Sequence, residues 1–164
     1  MRHPFPVVFL YGLDSEISDA TIDSLTKTFG AENLSAPDYC GVFNLEKRIE
    51  ISLAHILAIG KPVFLIGFSC GGLAAALIAT RHPELVMGMV LIGPAFQRPE
   101  TGEINLHGAR PVTLINANQD LLGLELSEDF GRRFPSVRMI TVQDDIWLRK
   151  SSDLIAQTAR EMNR

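Results

Sequence analysis

Residues Gly67-Phe68-Ser69-Cys70-Gly71 form a G-x-S-x-G run between a stretch with the composition of a buried strand, Pro62 to Ile66, and one with that of a helix, Leu73 to Arg81. A serine on a sharp strand-to-helix turn has its hydroxyl lifted clear of the sheet, and flanking glycines let such a turn pack without Cβ clashes. The chemistry this arrangement serves is nucleophilic attack. A serine hydroxyl is a poor nucleophile until a base takes its proton. The plain alternative is a small polar residue in a tight turn.

Such a serine is useful only if the elements around it hold it. Pro6 to Leu10 predicts a strand, Ser18 to Phe29 a helix with Ile22, Leu25 and Phe29 on one face, and Asn33 to Pro37 a short extended segment. From Asn44 to Ile59, the residues Leu45, Ile49, Leu53, Ile56 and Leu57 predict one apolar helical stripe, with His55 nearly opposite and facing solvent. The helix after Ser69 is apolar almost all round through Leu73 to Ile78, which predicts burial. Beyond it, Val86 to Ile92, Pro111 to Asn116 and Val137 to Val142 predict strands; Leu124 to Phe134 and about Trp147 to Met162 predict helices. Gly93 to Ala109 carries no clear pattern. This alternation predicts an α/β fold in one domain over residues 1–164: a mostly parallel, doubly wound sheet of about six strands with helices on both faces. Active sites in such sheets lie beyond the carboxyl ends of the strands.

Composition narrows the function. The 164 residues are 46% hydrophobic and 21% charged, enough for a core without disulfides or metals. The net charge of -4, with Lys and Arg scattered, argues against a nucleic-acid surface. Met1 to Pro6 does not have the pattern of a signal peptide, and no apolar run approaches the ~20 residues of a membrane helix. Cys40 and Cys70 lack C-x-x-C spacing and predict free thiols, so a soluble cytoplasmic protein is expected. Neither a metal-ligand motif nor a phosphate loop is present, so no metal or cofactor is expected.

Taken in order, several segments resemble the α/β-hydrolase fold over nearly the whole chain. Gly67 to Gly72 is similar to its nucleophile elbow, and Tyr11-Gly12 stands where the family usually has His-Gly. Ala36-Pro37-Asp38-Tyr39-Cys40-Gly41 resembles the P-D-x-x-G turn. Arg81-His82-Pro83-Glu84-Leu85-Val86 resembles the end of the helix after the nucleophile, and Leu91-Ile92-Gly93-Pro94-Ala95 the next strand. Asn116-Ala117-Asn118-Gln119-Asp120 resembles the loop carrying the triad acid. The chain begins at what would be the family's third strand, and the expectation is a core-only member without a full cap.

The resemblance implies roles. Ser69 is the nucleophile, Asp120 the acid or else an Asx-turn residue, and the backbone N–H groups of Cys70 and Leu13 the oxyanion donors. The family's histidine follows the last strand, where this chain has Val142-Gln143-Asp144-Asp145-Ile146-Trp147, and Asp145 takes its place. An aspartate with a pKa near 4 is a weak base toward an alcohol. Asp144 and Asp145 have a structural reading too, as caps of the last helix. Of the four histidines, His107 falls in the segment where the family inserts its cap and is either a relocated base or a surface residue. Two functions compete: a serine hydrolase acting on a small acyl ester or thioester, weakened by loss of its base, and a degenerate hydrolase fold that binds a ligand or a protein.

Overall fold

The computed structural model describes residues 4–13, 19–108 and 110–164. Along them run β1 (Val7–Leu10), α1 (Asp19–Phe29), β2 (Leu34–Ser35), α2 (Leu45–Ile59), β3 (Val63–Phe68), α3 (Cys70–Arg81), β4 (Val86–Ile92), β5 (Val112–Ala117), α4 (Leu121–Arg133), β6 (Arg138–Val142) and α5 (Ser152–Met162). The strands make one parallel sheet in the order β2-β1-β3-β4-β5-β6. Strands β1, β3, β4 and β5 are buried on both faces, which is why they are written as near-continuous apolar runs.

Alternate strand residues feed two cores. Val8, Leu10, Leu65, Met89, Leu91 and Leu114 pack with residues of α2, α3 and α4. Val7, Phe9, Ile66, Val90, Ile92 and Ile115 pack with residues of α1 and α5. Helix α3 is buried from Cys70 through Ala79, as its all-round apolar composition requires. Among the described residues no helix is long and apolar enough to cross a membrane, and no group of three or more His, Cys, Asp or Glu could hold a metal ion.

Several expectations shift. The buried face of α2 is Leu45, Arg48, Ile49, Ser52 and Ile56, so the stripe is rotated from the apolar pattern and Leu57 is 57% exposed. His55 is half-buried and does not simply face solvent, because its Nε2 lies 2.9 Å from Ser35 Oγ. On α1 the buried residues are Thr21, Leu25 and Phe29, while Ile22 is exposed; the expected start at Ser18 lies outside the described residues. The patternless segment is folded: it holds a 3-10 turn, Pro99–Glu103, and buries Phe96, Ile104 and Leu106 in the α2–α3–α4 core. Arg133 donates to the Thr101 and Ile104 carbonyls and fixes it there.

Helix α5 starts at Ser152, five residues later than its apolar spacing suggests, because Asp144 organises the preceding turn. The Asp144 carboxylate, 2% exposed, accepts from the N–H of Asp145 (2.8 Å), the N–H of Lys150 (2.8 Å) and the hydroxyl of Ser151 (2.7 Å). Leu148, with φ at 54°, turns the backbone between them. Asp144 therefore ties a loop rather than capping α5 through its first helical amides. Burial pushes its carboxyl up; the Ser151 hydroxyl, the two amides and the Lys150 charge pull it down further, and the net displacement is downward. A depressed folded-state value contributes stability above the ~4 of an unfolded aspartate, lost as pH falls through the folded value. Asp144→Asn is expected to lower neutral-pH stability by about 1–3 kcal/mol, as donors lose their acceptor. In a series of melts from about pH 6 to below about 4, the acid-induced drop should shrink in this variant; an unchanged acid limb would count against the assignment.

Candidate active site

The chain runs from β1 to β2 on one side of the sheet and then to β3 on the other. The crevice beyond the carboxyl ends of β1 and β3 is thus the topological switch point, where open α/β sheets bind ligands. Leu10 pairs with Gly67, so the segment Tyr11-Gly12-Leu13 and Ser69 leave the sheet side by side.

Ser69 has φ 55° and ψ −118°, a conformation that non-glycine residues seldom adopt and that costs roughly 1–3 kcal/mol. The surrounding backbone enforces it. The Ser69 N–H donates to the Ile92 carbonyl (3.0 Å), and the Ser69 carbonyl accepts from Gly72 (3.0 Å), Leu73 (3.2 Å) and Ala95 (3.0 Å). Helix α3 starts in backbone contact with β1: a Cβ on Gly71 would stand 2.0 Å from the Leu10 carbonyl oxygen.

The serine opens on a cavity of about 380 Å³ whose wall includes Gly12, Leu13, Cys70 and Asp120. Gly12 lies so close that a Cβ there would be 3.2 Å from Ser69 Cβ. The Cys70 N–H belongs to the first turn of α3, where no intrahelical acceptor exists for it. Most of the remaining wall is apolar, with Phe68, Pro94, Leu122, Leu126, Ile146 and Trp147. Asp120 is the one carboxylate among these wall residues. It also caps α4, its Oδ1 accepting from the Gly123 N–H at 2.9 Å, which is the turn reading of this residue.

Asp145 sits at the start of the turn after β6. Its Oδ1 accepts from the Trp147 N–H (3.0 Å) and its Oδ2 lies 3.7 Å from Arg149 Nε. Its neighbours Ile146 and Trp147 line the cavity, whereas Asp145 itself is not among the wall residues. His107 is held elsewhere, its ring 5.1 Å from that of Phe134. Phe134 follows the last residue of α4, whereas Asp120 precedes the first, and thirteen helical residues span about 20 Å. The His107 end of its segment packs on the core, whereas the beginning, Gly93, Pro94, Ala95 and Gln97, lines the cavity beside Ser69. His82 closes α3 beside Glu84 (3.8 Å), His55 meets Ser35, and His3 lies outside the described residues. No described histidine lines the cavity.

A residue the motifs do not single out is buried next to this site. Arg48 on α2 donates through Nη1 to the carbonyls of Tyr11 (3.2 Å) and Gly12 (2.9 Å). Its signal in the sequence is a charged side chain three residues after Leu45 and one before Ile49, on the buried stripe.

A parallel α/β sheet whose central strand ends in a strained serine turn, at the switch-point cavity, defines an α/β hydrolase. The chain belongs to the serine aminopeptidase S33 family, whose sequence profile matches residues 52–160. It is 32% identical over 129 residues to the pimeloyl-[acyl-carrier protein] methyl ester esterase of Yersinia enterocolitica, a match covering 74% of this chain and 45% of that protein. Against the protein of the same name from Citrobacter koseri it is 30% identical over 131 residues, covering 74% and 46%. The chain thus spans less than half the length of these curated relatives. Among solved structures, an alpha/beta-superfamily hydrolase from Xanthomonas campestris superposes with a TM-score of 0.80 at 18% identity, over 96% of this chain and 97% of that one.

Proposed function

We propose that the chain hydrolyses carboxylic esters or thioesters through Ser69, and does so slowly because Asp145 holds the sequence position of the histidine base and no described histidine lines the cavity. The observation carrying this reading is the backbone of Ser69, strained at φ 55° on the wall of a cavity that pairs apolar side chains with polar groups. Strain of this kind persists only where the surrounding structure imposes it, and here it aims a hydroxyl at the cavity. Ser69 Oγ adds to the acyl carbon, and the oxyanion accepts from the Cys70 and Leu13 N–H groups. The bond to the leaving alcohol or thiol then breaks, with the serine proton ending on that group. Water repeats the sequence on the acyl-enzyme. Donors without a strong base leave Ser69 protonated nearly all the time, so attack is rare. That the two curated relatives are methyl ester esterases by name supports the choice of bond.

The binding-module reading draws on one observation of its own, the engagement of the Asp145 carboxylate with Trp147 and Arg149. Labelling by a fluorophosphonate at neutral pH separates the two. Slow labelling that Ser69→Ala abolishes is the expected result. Labelling as fast as that of a competent serine esterase would refute the missing base, and its complete absence would favour the binding module.

A further inference from the structure

Arg48 is 4% exposed, yet its guanidinium is met by carbonyls and rings. Its Nε donates to the Val42 carbonyl at 2.7 Å, and its Nη1 to the carbonyls of Tyr11 and Gly12. Its Cζ stands 4.6 Å from the Tyr39 ring centre and 5.7 Å from that of Tyr11. No ion pair joins it to a carboxylate among the described residues. Tyr39 supplies a π-face and not an anion, since burial pushes its phenol up to about 12. A charge buried in this way needs its acceptors: releasing one leaves part of the guanidinium unpaired in a poorly solvated place.

Two of the three acceptors belong to the segment beside Ser69. A peptide group is planar and trans, so the N–H of each residue points opposite the preceding carbonyl. With the Gly12 carbonyl turned to Arg48, the Leu13 N–H is turned away from it. Both Gly12 and Leu13 form cavity wall, and a Cβ added to Gly12 would stand 3.2 Å from Ser69 Cβ.

We propose that Arg48 is a positioning residue for the oxyanion site: it clamps the Tyr11 and Gly12 carbonyls so that the Leu13 N–H faces the cavity. It also acts through the peptide itself. A carbonyl accepting a charge-assisted bond polarises its own amide, and the N–H at the other end becomes a better donor. The charge of Arg48 thus reaches the developing oxyanion through the 12–13 peptide without touching the substrate. This rests on the proposed roles of Ser69 and Leu13.

The test compares Arg48→Met, which keeps much of the stem but loses the charge, with Arg48→Lys, which keeps the charge but not the fork. Lys47→Met is the control, because the Lys47 ammonium is exposed and meets Glu50. Turnover of an activated aryl ester and the amide resonances of uniformly ¹⁵N-labelled protein are measured together, beside a thermal melt. Removing an oxyanion donor outright costs about 10²–10³ in kcat, so in Arg48→Met a fall of roughly tenfold to a hundredfold is expected, with KM nearly unchanged. The Leu13 amide resonance should move and its solvent exchange quicken, while that of Cys70, the donor fixed by α3, stays. Arg48→Lys should recover part of the rate, and it decides the matter if Arg48→Met does not fold. Loss that follows the melting temperature in both variants, with the Leu13 resonance unmoved, would overturn the proposal. If the wild type shows no turnover, the failure belongs to the Ser69 reading, and the Leu13 resonance alone decides the role of Arg48.

Discussion

Asp145→His raises kcat/KM toward an activated aryl ester by ~10²-fold, the lower end of what a positioned general base supplies. An imidazole replacing the carboxylate gives Ser69 a partner whose proton affinity suits neutral pH, which a carboxylate with an ordinary value near 4 does not have. Asp120, Cys70 and Leu13, the residues proposed to support it, are already in the cavity wall. Replacing the side chain also removes the acceptor that now engages the Trp147 N–H, which leaves the new ring free to turn. The gain has a pH signature. It requires neutral imidazole, so it is full above about pH 6.5 and declines below it, an inflection absent from the wild type. Adding Ser69→Ala should erase the gain. A flat response would mean that Asp120 or the donors are misplaced for acyl transfer, and the missing histidine would then not be what limits this protein.

Gly71→Ala is expected to destabilise the fold more than Asp144→Asn does. Its Cβ would stand 2.0 Å from the Leu10 carbonyl oxygen, 2.5 Å from the Leu10 carbonyl carbon and 2.9 Å from the Tyr11 oxygen. All are main-chain atoms, so no rotamer change relieves the clash; either β1 leaves its register with β3 or α3 lifts from the sheet. Overpacking in a core typically costs ~1–3 kcal/mol with side chains that can adjust, and here about 3 kcal/mol or more is expected. That corresponds to a melting temperature lower by about 10 °C for a chain of this size. Gly102→Ala, where an added Cβ meets nothing within 4 Å, should melt close to the wild type. Near-equal melts for the two variants would show that α3 can draw back from β1 at little cost.

How much of the fold and the site was legible in the sequence depended on whether the deciding interaction was local. The elbow was legible because buried parallel strands are apolar runs and the flanking glycines mark the turn. Its bounds moved outward because Gly67 and Phe68 pair with Leu91 and Ile92, and because Cys70, Gly71 and Gly72 are drawn into α3 despite modest helix propensity. The late start of α5 was hidden, since nothing in the spacing of apolar residues announces that Asp144 gathers donors from Lys150 and Ser151. Arg48 was hidden for a related reason. A charge within a helix suggests solvent, and its acceptors at Tyr11 and Gly12 lie 37 and 36 positions away. His107 was placed by the position of its segment in a resembled fold, whereas Ile104, Leu106 and Arg133 decide where that segment lies.

The all-round burial of α3 also governs which parts of the site can breathe. Amides from Leu73 to Ala79 lie in a helix with no solvent face over that stretch, so their exchange with deuterium requires opening of the whole molecule. The opposite wall is built differently. Leu122 at the start of α4 is 58% exposed and Ile146 is 48% exposed, so these wall residues can open locally at lower free energy. Ser69 is therefore joined to a helix expected to exchange slowly while Leu122 and Ile146 across the same cavity are expected to exchange faster, a contrast that residue-resolved deuterium exchange measures.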